Sequence, residues 1–141
     1  MIKIEKELKE LPITLNNIAY VHYQPRINGL VIFNGQKAYT TNEFILDTGA
    51  SITILNAKFN FLFKEVKPQT YTRIMYGGNT KDLPVYEIEL KIEGNLFKLK
   101  AAHDNEMELT SLLGHFDFLN TFNHFSISTD RRKFILIKNQ I

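Results

Sequence analysis

Along this chain, apolar and polar positions alternate far more often than they recur at helical spacing. Val85 to Ile92 reads Val-Tyr-Glu-Ile-Glu-Leu-Lys-Ile, the period-two pattern of a strand with one buried face. Glu93-Gly94-Asn95 turns the chain, and Leu96 to Ala102 returns as a second strand. The same reasoning predicts strands at Leu11 to Leu15, with Pro12 placing it at an edge or a strand start, and at Tyr20 to Gln24, leading into Pro25. Arg26 to Phe33 is a strand ended by Asn34-Gly35, a strong two-residue hairpin signal. Gln36 to Thr41 then returns antiparallel, and Asn42 to Leu46 continues inward. Further strands are predicted at Ile52 to Leu55, Tyr71 to Met75, Leu112-Leu113 and Phe125 to Ser128. A turn at Thr129-Asp130-Arg131-Arg132 leads to a last strand, Lys133 to Ile137. Helical spacing occurs twice. Asn56 is placed to cap one or two turns running to Phe63, where Phe59, Phe61, Leu62 and Phe63 supply core. Phe116, Leu119 and Phe122 predict a helix over His115 to Phe122. Residues 1–10 alternate charged and apolar side chains and are compatible with a short helix, a frayed arm or an edge strand. Many short strands, regular turns and one or two short helices make an all-β, barrel-like domain over residues 11–141, preceded by an N-terminal arm, residues 1–10.

Composition narrows the class. A chain of 141 residues with 44% hydrophobic content is one domain with a real core. It has no cysteine, which excludes disulfides and cysteine-ligated metals and fits a reducing compartment. The net charge of +2 is too small to point to nucleic acid. No apolar run approaches the roughly 18–20 residues of a membrane helix, and the charged start Met1 to Glu10 has no apolar signal core. A cytoplasmic, soluble protein is expected. His22, His103, His115 and His124 do not pair at helical spacing, and there is no Gly-x-Ser-x-Gly elbow around Ser51. No metal or cofactor is expected. Arg131-Arg132-Lys133 reads as a solvated turn.

The chemistry centres on Phe44-Ile45-Leu46-Asp47-Thr48-Gly49-Ala50-Ser51-Ile52-Thr53-Ile54-Leu55. Two buried strands flank a polar turn, and Gly49 lets the chain reverse sharply behind Asp47. A carboxylate at the end of a core strand is costly to desolvate. It is either a turn cap or a reactive group.

This run resembles the active-site motif of the retropepsin-like aspartic proteases. Two later stretches extend the resemblance from roughly Ile13 to Ile137. Ile74-Met75-Tyr76-Gly77-Gly78-Asn79-Thr80 lies where that family carries its glycine-tipped flap. Leu112-Leu113-Gly114, followed by His115 to Leu119, is similar to the family's apolar-apolar-Gly strand. The resemblance implies a small closed β-barrel that acts as a homodimer on an extended peptide or protein substrate. Asp47 would be the catalytic carboxylate of each copy, and a single Asp-Thr-Gly per chain makes the second carboxylate the partner's. Thr48, Gly49 and Ala50 would support the site. Tyr76, Gly77 and Gly78 would form the flap over the substrate. Ala50 has no hydroxyl to donate to the dyad, so the shared proton should be held to higher pH. One departure stands out. Many family members carry an arginine after the glycine of the third stretch, paired with an acid just past the catalytic turn. Here those places hold His115 and Ser51, so that salt bridge is missing or replaced. The alternative reading is a non-catalytic peptide-binding or dimerisation module on the same fold.

Overall fold

A computed structural model describes residues 1–76 and 78–139. Six strands close a barrel in the order β4 (Arg26–Phe33), β6 (Asn42–Leu46), β11 (Ser111–Leu113), β7 (Thr53–Leu55), β10 (Asn95–His103) and β9 (Asn79–Ile92). The closing seam sets Leu30, Val31 and Ile32 of β4 against Lys91, Leu90 and Glu89 of β9. The expected small closed barrel is therefore present. Its inward residues follow the strand alternation. Val31, Phe44, Leu55, Leu90 and Leu113 are fully enclosed, together with Phe59, Phe118, Phe134 and Leu136 from outside the barrel strands. Each such side chain contributes about 1.5–3 kcal/mol on burial.

The turns obey local chemistry. Asn34-Gly35 and Glu93-Gly94 take positive φ at both positions, as two-residue hairpins require. The first joins β4 to a two-residue return, β5 (Gln36–Lys37), shorter than the Gln36–Thr41 strand expected. β9 is long, 14 residues. Its later half belongs to the barrel. Its first residues leave the barrel paired only with β8 (Thr70–Tyr76), making a hairpin whose last pair is Tyr76 and Asn79.

Residues 1–10 take the strand form among those open to them. β1 (Ile2–Glu7) pairs along its whole length with β13 (Lys133–Lys138), which also pairs with β12 (His124–Ser128). Ile4 of β1 is fully buried. β2 (Lys9–Leu15) and β3 (Ile18–Gln24) form a separate two-stranded ribbon.

His103 ends β10 and both it and Asp104 are buried, with Asp104 Oδ1 accepting from Lys81 Nζ at 2.9 Å. The expected helix over His115 to Phe122 does not form. The segment is a series of turns with a single 3-10 turn over Leu119–Thr121. Its first amides are spent elsewhere: His115 N–H donates to Ala50 O and Phe116 N–H to Ser51 O. Leu119 and Asn120 N–H reach five residues back, to Gly114 O and His115 O. Bonding to the neighbouring loop outweighs the i to i−4 ladder. Phe116 consequently points to solvent while Phe118 fills the core. The other predicted helix is present, with Asn56 Oδ1 capping the Lys58 N–H at 3.1 Å.

Candidate active site

The chain leaves β6 at Asp47 and returns as β7, yet these two strands are not neighbours. β11 lies between them, parallel to β6 and antiparallel to β7. The end of β11 therefore meets the loop that joins them. Asp47 N–H donates to Leu113 O at 3.1 Å. Gly114 N–H donates to Thr53 Oγ1 at 3.1 Å, and Thr53 N–H to Asp117 Oδ1 at 3.0 Å. With the His115 and Phe116 bonds, the loop is stitched along its whole length to residues 113–117. The fit leaves no room at Gly114, where a Cβ would lie 2.2 Å from the Ile52 carbonyl carbon.

Within the loop, Asp47 Oδ1 accepts from Gly49 N–H at 2.9 Å, and Ala50 N–H bonds to Asp47 O. One carboxylate oxygen is thus fixed by the turn, and the side chain is half-buried. Asp47 opens onto two clefts. The first, about 340 Å³, is lined by Gly49, Ala50, Ser51, Ile52 and Ile54, by Leu112, and by Arg73, Ile74 and Met75 of β8. The second, about 330 Å³, is lined by Thr48 and by His22, Tyr23 and Gln24 of β3, with Leu112 and with Phe125 and Ile127 of β12. Among the described residues, Asp47 is the only carboxylate lining either cleft.

The structure thus brings Asp47, Thr48, Gly49 and Ala50 into one turn. The stem of the Tyr76 to Gly78 hairpin forms a wall of the first cleft. Gly78 has φ +88°, which glycine tolerates and other residues resist. Gly77 lies outside the described residues. No group of three or more His, Asp or Glu side chains is disposed to hold a metal among the described residues. No helix is long and apolar enough to cross a membrane among them.

Two neighbours of the site escaped the sequence reading. Arg73 reaches the Asp47 cleft from β8, its Nε 3.0 Å from Asp82 Oδ1 across the hairpin. Counting back from Gly77-Gly78 pairs positions 73 and 82, so the signal was there. Asp117 gave no such signal. Its Oδ1 holds the Thr53 N–H, while its Oδ2 is buried with no partner among the described residues. Burial raises its carboxyl above the ordinary range, outweighing the hydrogen bonds from Thr53 that lower it. His115 and Ser51, standing where an arginine–acid pair was looked for, are exposed. The contact to the loop's return strand comes from Asp117 instead.

Among solved structures, the chain is similar to a retropepsin-like aspartic protease from Rickettsia conorii. Identity is 22%, covering 95% of this chain and 90% of that one, with a TM-score of 0.56. It is also similar to the EIAV protease complexed with the inhibitor HBY-793 (23% identity, 73% and 88% of the two chains, TM-score 0.49). The simian foamy virus (mac) protease matches at 21% identity over 66% and 90%, with a TM-score of 0.45. No protein family model matches the chain, and no curated protein does. The first similarity, spanning nearly both chains, shows the fold. It is the retropepsin-like fold, with Asp47-Thr48-Gly49 on the loop between β6 and β7.

Proposed function

We propose that this protein is an aspartic endopeptidase that works as a homodimer, with the Asp47 carboxylates of two copies sharing one proton. The observation that carries the reading is the isolation of Asp47: it is held at the mouth of two clefts with no second carboxylate beside it among the described residues. An aspartic dyad needs two carboxylates about 3 Å apart, and a two-fold axis beside Asp47 supplies the second. The pair titrates as a unit. Its ionised member takes a proton from a water, which attacks the peptide carbonyl carbon; its protonated member donates to the carbonyl oxygen. The Gly49 N–H fixes the orientation of Asp47 Oδ1 before substrate arrives. Thr48, exposed at the turn, bonds across the axis to hold the two turns together, and Gly49 leaves room for the substrate backbone. Ala50 donates no hydroxyl to the dyad. The hairpin carrying Tyr76, Gly77 and Gly78 closes over an extended peptide.

The test is cleavage of an unbiased peptide mixture across about pH 4 to 7.5, with sedimentation in parallel. Asp47→Asn should dimerise normally and lose at least about a hundredfold in rate. A folded wild-type dimer that cleaves nothing would leave a peptide-binding or dimerisation module. Without a hydroxyl at Ala50, activity should extend toward neutral; an optimum below about pH 4 would contradict that role for Ala50.

A further inference from the structure

The β2–β3 ribbon has the wrong surface for a free-standing element. Its turn, Asn16-Asn17, has positive φ at both residues, and seven pairs run from Leu15–Ile18 down to Lys9–Gln24. Residues paired across strands share a face, as do alternate residues along one. One face therefore carries Leu11, Ile13, Leu15, Ile18, Tyr20 and His22. Four of these are large apolar side chains open to solvent: Ile13 at 40%, Leu15 at 58%, Ile18 at 55% and Tyr20 at 47% exposure. From Ile13 to Tyr20 no residue is charged, so nothing guards the strand edges as charged side chains usually do. Among the described residues, β2 and β3 pack extensively only on each other, and an isolated hairpin is marginal in water.

The root, by contrast, is anchored and aimed. Lys9 Nζ lies 2.9 Å from Glu43 Oε1, and Arg132 Nη1 lies 3.7 Å from Glu10 Oε1. The Arg132 guanidinium also sits over the Tyr23 ring at 4.8 Å. The strand that leaves this root, with His22, Tyr23 and Gln24, lines the second Asp47 cleft beside Thr48 and Ile127. A body docking at Asp47 meets the ribbon.

We propose that the ribbon is a dimer clasp, its Leu11–Ile13–Leu15–Ile18–Tyr20 face covered by the second copy of this chain that completes the dyad. This rests on the dimeric reading of Asp47 above. The clasp cannot hold the dimer alone. Seven strand residues span about 23 Å, so one face covers on the order of 200–300 Å², against roughly 800 Å² per partner in a stable interface. It extends an interface centred on Asp47 and tightens it.

The experiment is sedimentation equilibrium of the full chain, with peptide cleavage measured alongside. The variant Ile13→Thr/Leu15→Thr/Ile18→Thr/Tyr20→Thr keeps strand-forming residues and removes the apolar face. Its dimer dissociation constant should rise at least about tenfold, with kcat per dimer and KM unchanged once the dimer is re-formed at high concentration. Leu15→Lys/Ile18→Lys, confined to the tip, should act the same way and serves if the fourfold variant does not fold. A wild-type dimer whose dissociation constant both variants leave unchanged would overturn the clasp and leave the dimeric peptidase standing. Raised KM with unchanged dimerisation would assign the ribbon to substrate and also overturn it. A folded wild-type chain that stays monomeric would overturn clasp and peptidase reading together.

Discussion

The Asp47 turn and the β2–β3 ribbon are both strand–turn–strand units, and they are secured in opposite ways. The Asp47 turn has little apolar surface, yet five hydrogen bonds tie residues 47–53 to residues 113–117, and Gly114 presses against its backbone. The ribbon has a continuous apolar face and almost nothing packed on it. Local chemistry alone decided neither outcome. What separates them is whether a distant segment arrives to complete the unit within the same chain. For the turn it does; for the ribbon, no segment of the same chain does so among the described residues.

The sharpest way to break the contrast is Gly114→Ala. The added methyl meets the Ile52 and Thr53 backbone at 2.2–2.6 Å, and backbone cannot rotate aside as a side chain does. A loss of about 3 kcal/mol or more is expected in urea unfolding, with cleavage lost as the turn is displaced. A loss below about 1 kcal/mol would mean the loop is far less tightly seated. Next in size is Asp117→Ala, which leaves the Thr53 N–H without its acceptor and should cost about 1–3 kcal/mol.

Asp117→Asn sharpens the same point through pH. The carboxyl of Asp117 is raised in the folded state, so between its unfolded value, about 3.9, and the raised folded one the native chain binds more protons. Stability contributed by this residue is therefore greatest in acid and declines as pH rises through that window. The difference between wild type and Asp117→Asn should move against the wild type from about pH 4 to 7. An unchanging difference would show that the carboxyl is not held protonated by burial. The smallest effect is expected at the ribbon. In the monomer, each threonine substitution at Ile13, Leu15, Ile18 or Tyr20 should alter unfolding by no more than about 0.5 kcal/mol, since these side chains touch no core. A larger loss would mean the ribbon is braced by its own chain.

What could be read beforehand was what depends on neighbours in sequence. Val85 to Ile92 alternates because one face is buried, and Asn34-Gly35 turns because asparagine and glycine accept its left-handed backbone angles at little cost. The Asp47 motif was legible for the same reason. The insertion of β11 between β6 and β7 was not, because nothing local marks it. His115 to Phe122 misled because its helical spacing is genuine, and the competing acceptors, Ala50 O and Ser51 O, lie on a strand connection far away in sequence. Asp117 looked like any acid in a turn, and its importance comes from where Thr53 happens to lie. The ribbon's Asn16-Asn17 was a missed local cue: two asparagines tolerate the left-handed backbone much as Asn-Gly does.

The crossing of β11 between β6 and β7 also sets a clock. The residues that shape the Asp47 turn follow their partners in it by 61–66 positions, which at about 5–20 residues per second is roughly 3–13 s of synthesis. During that interval a growing chain carries the carboxylate in an unfinished loop. β1 waits longer still for β13. The turn that holds Asp47 therefore takes its final shape only once residues 113–117 have been made, so the order of translation delays the candidate site rather than its sequence.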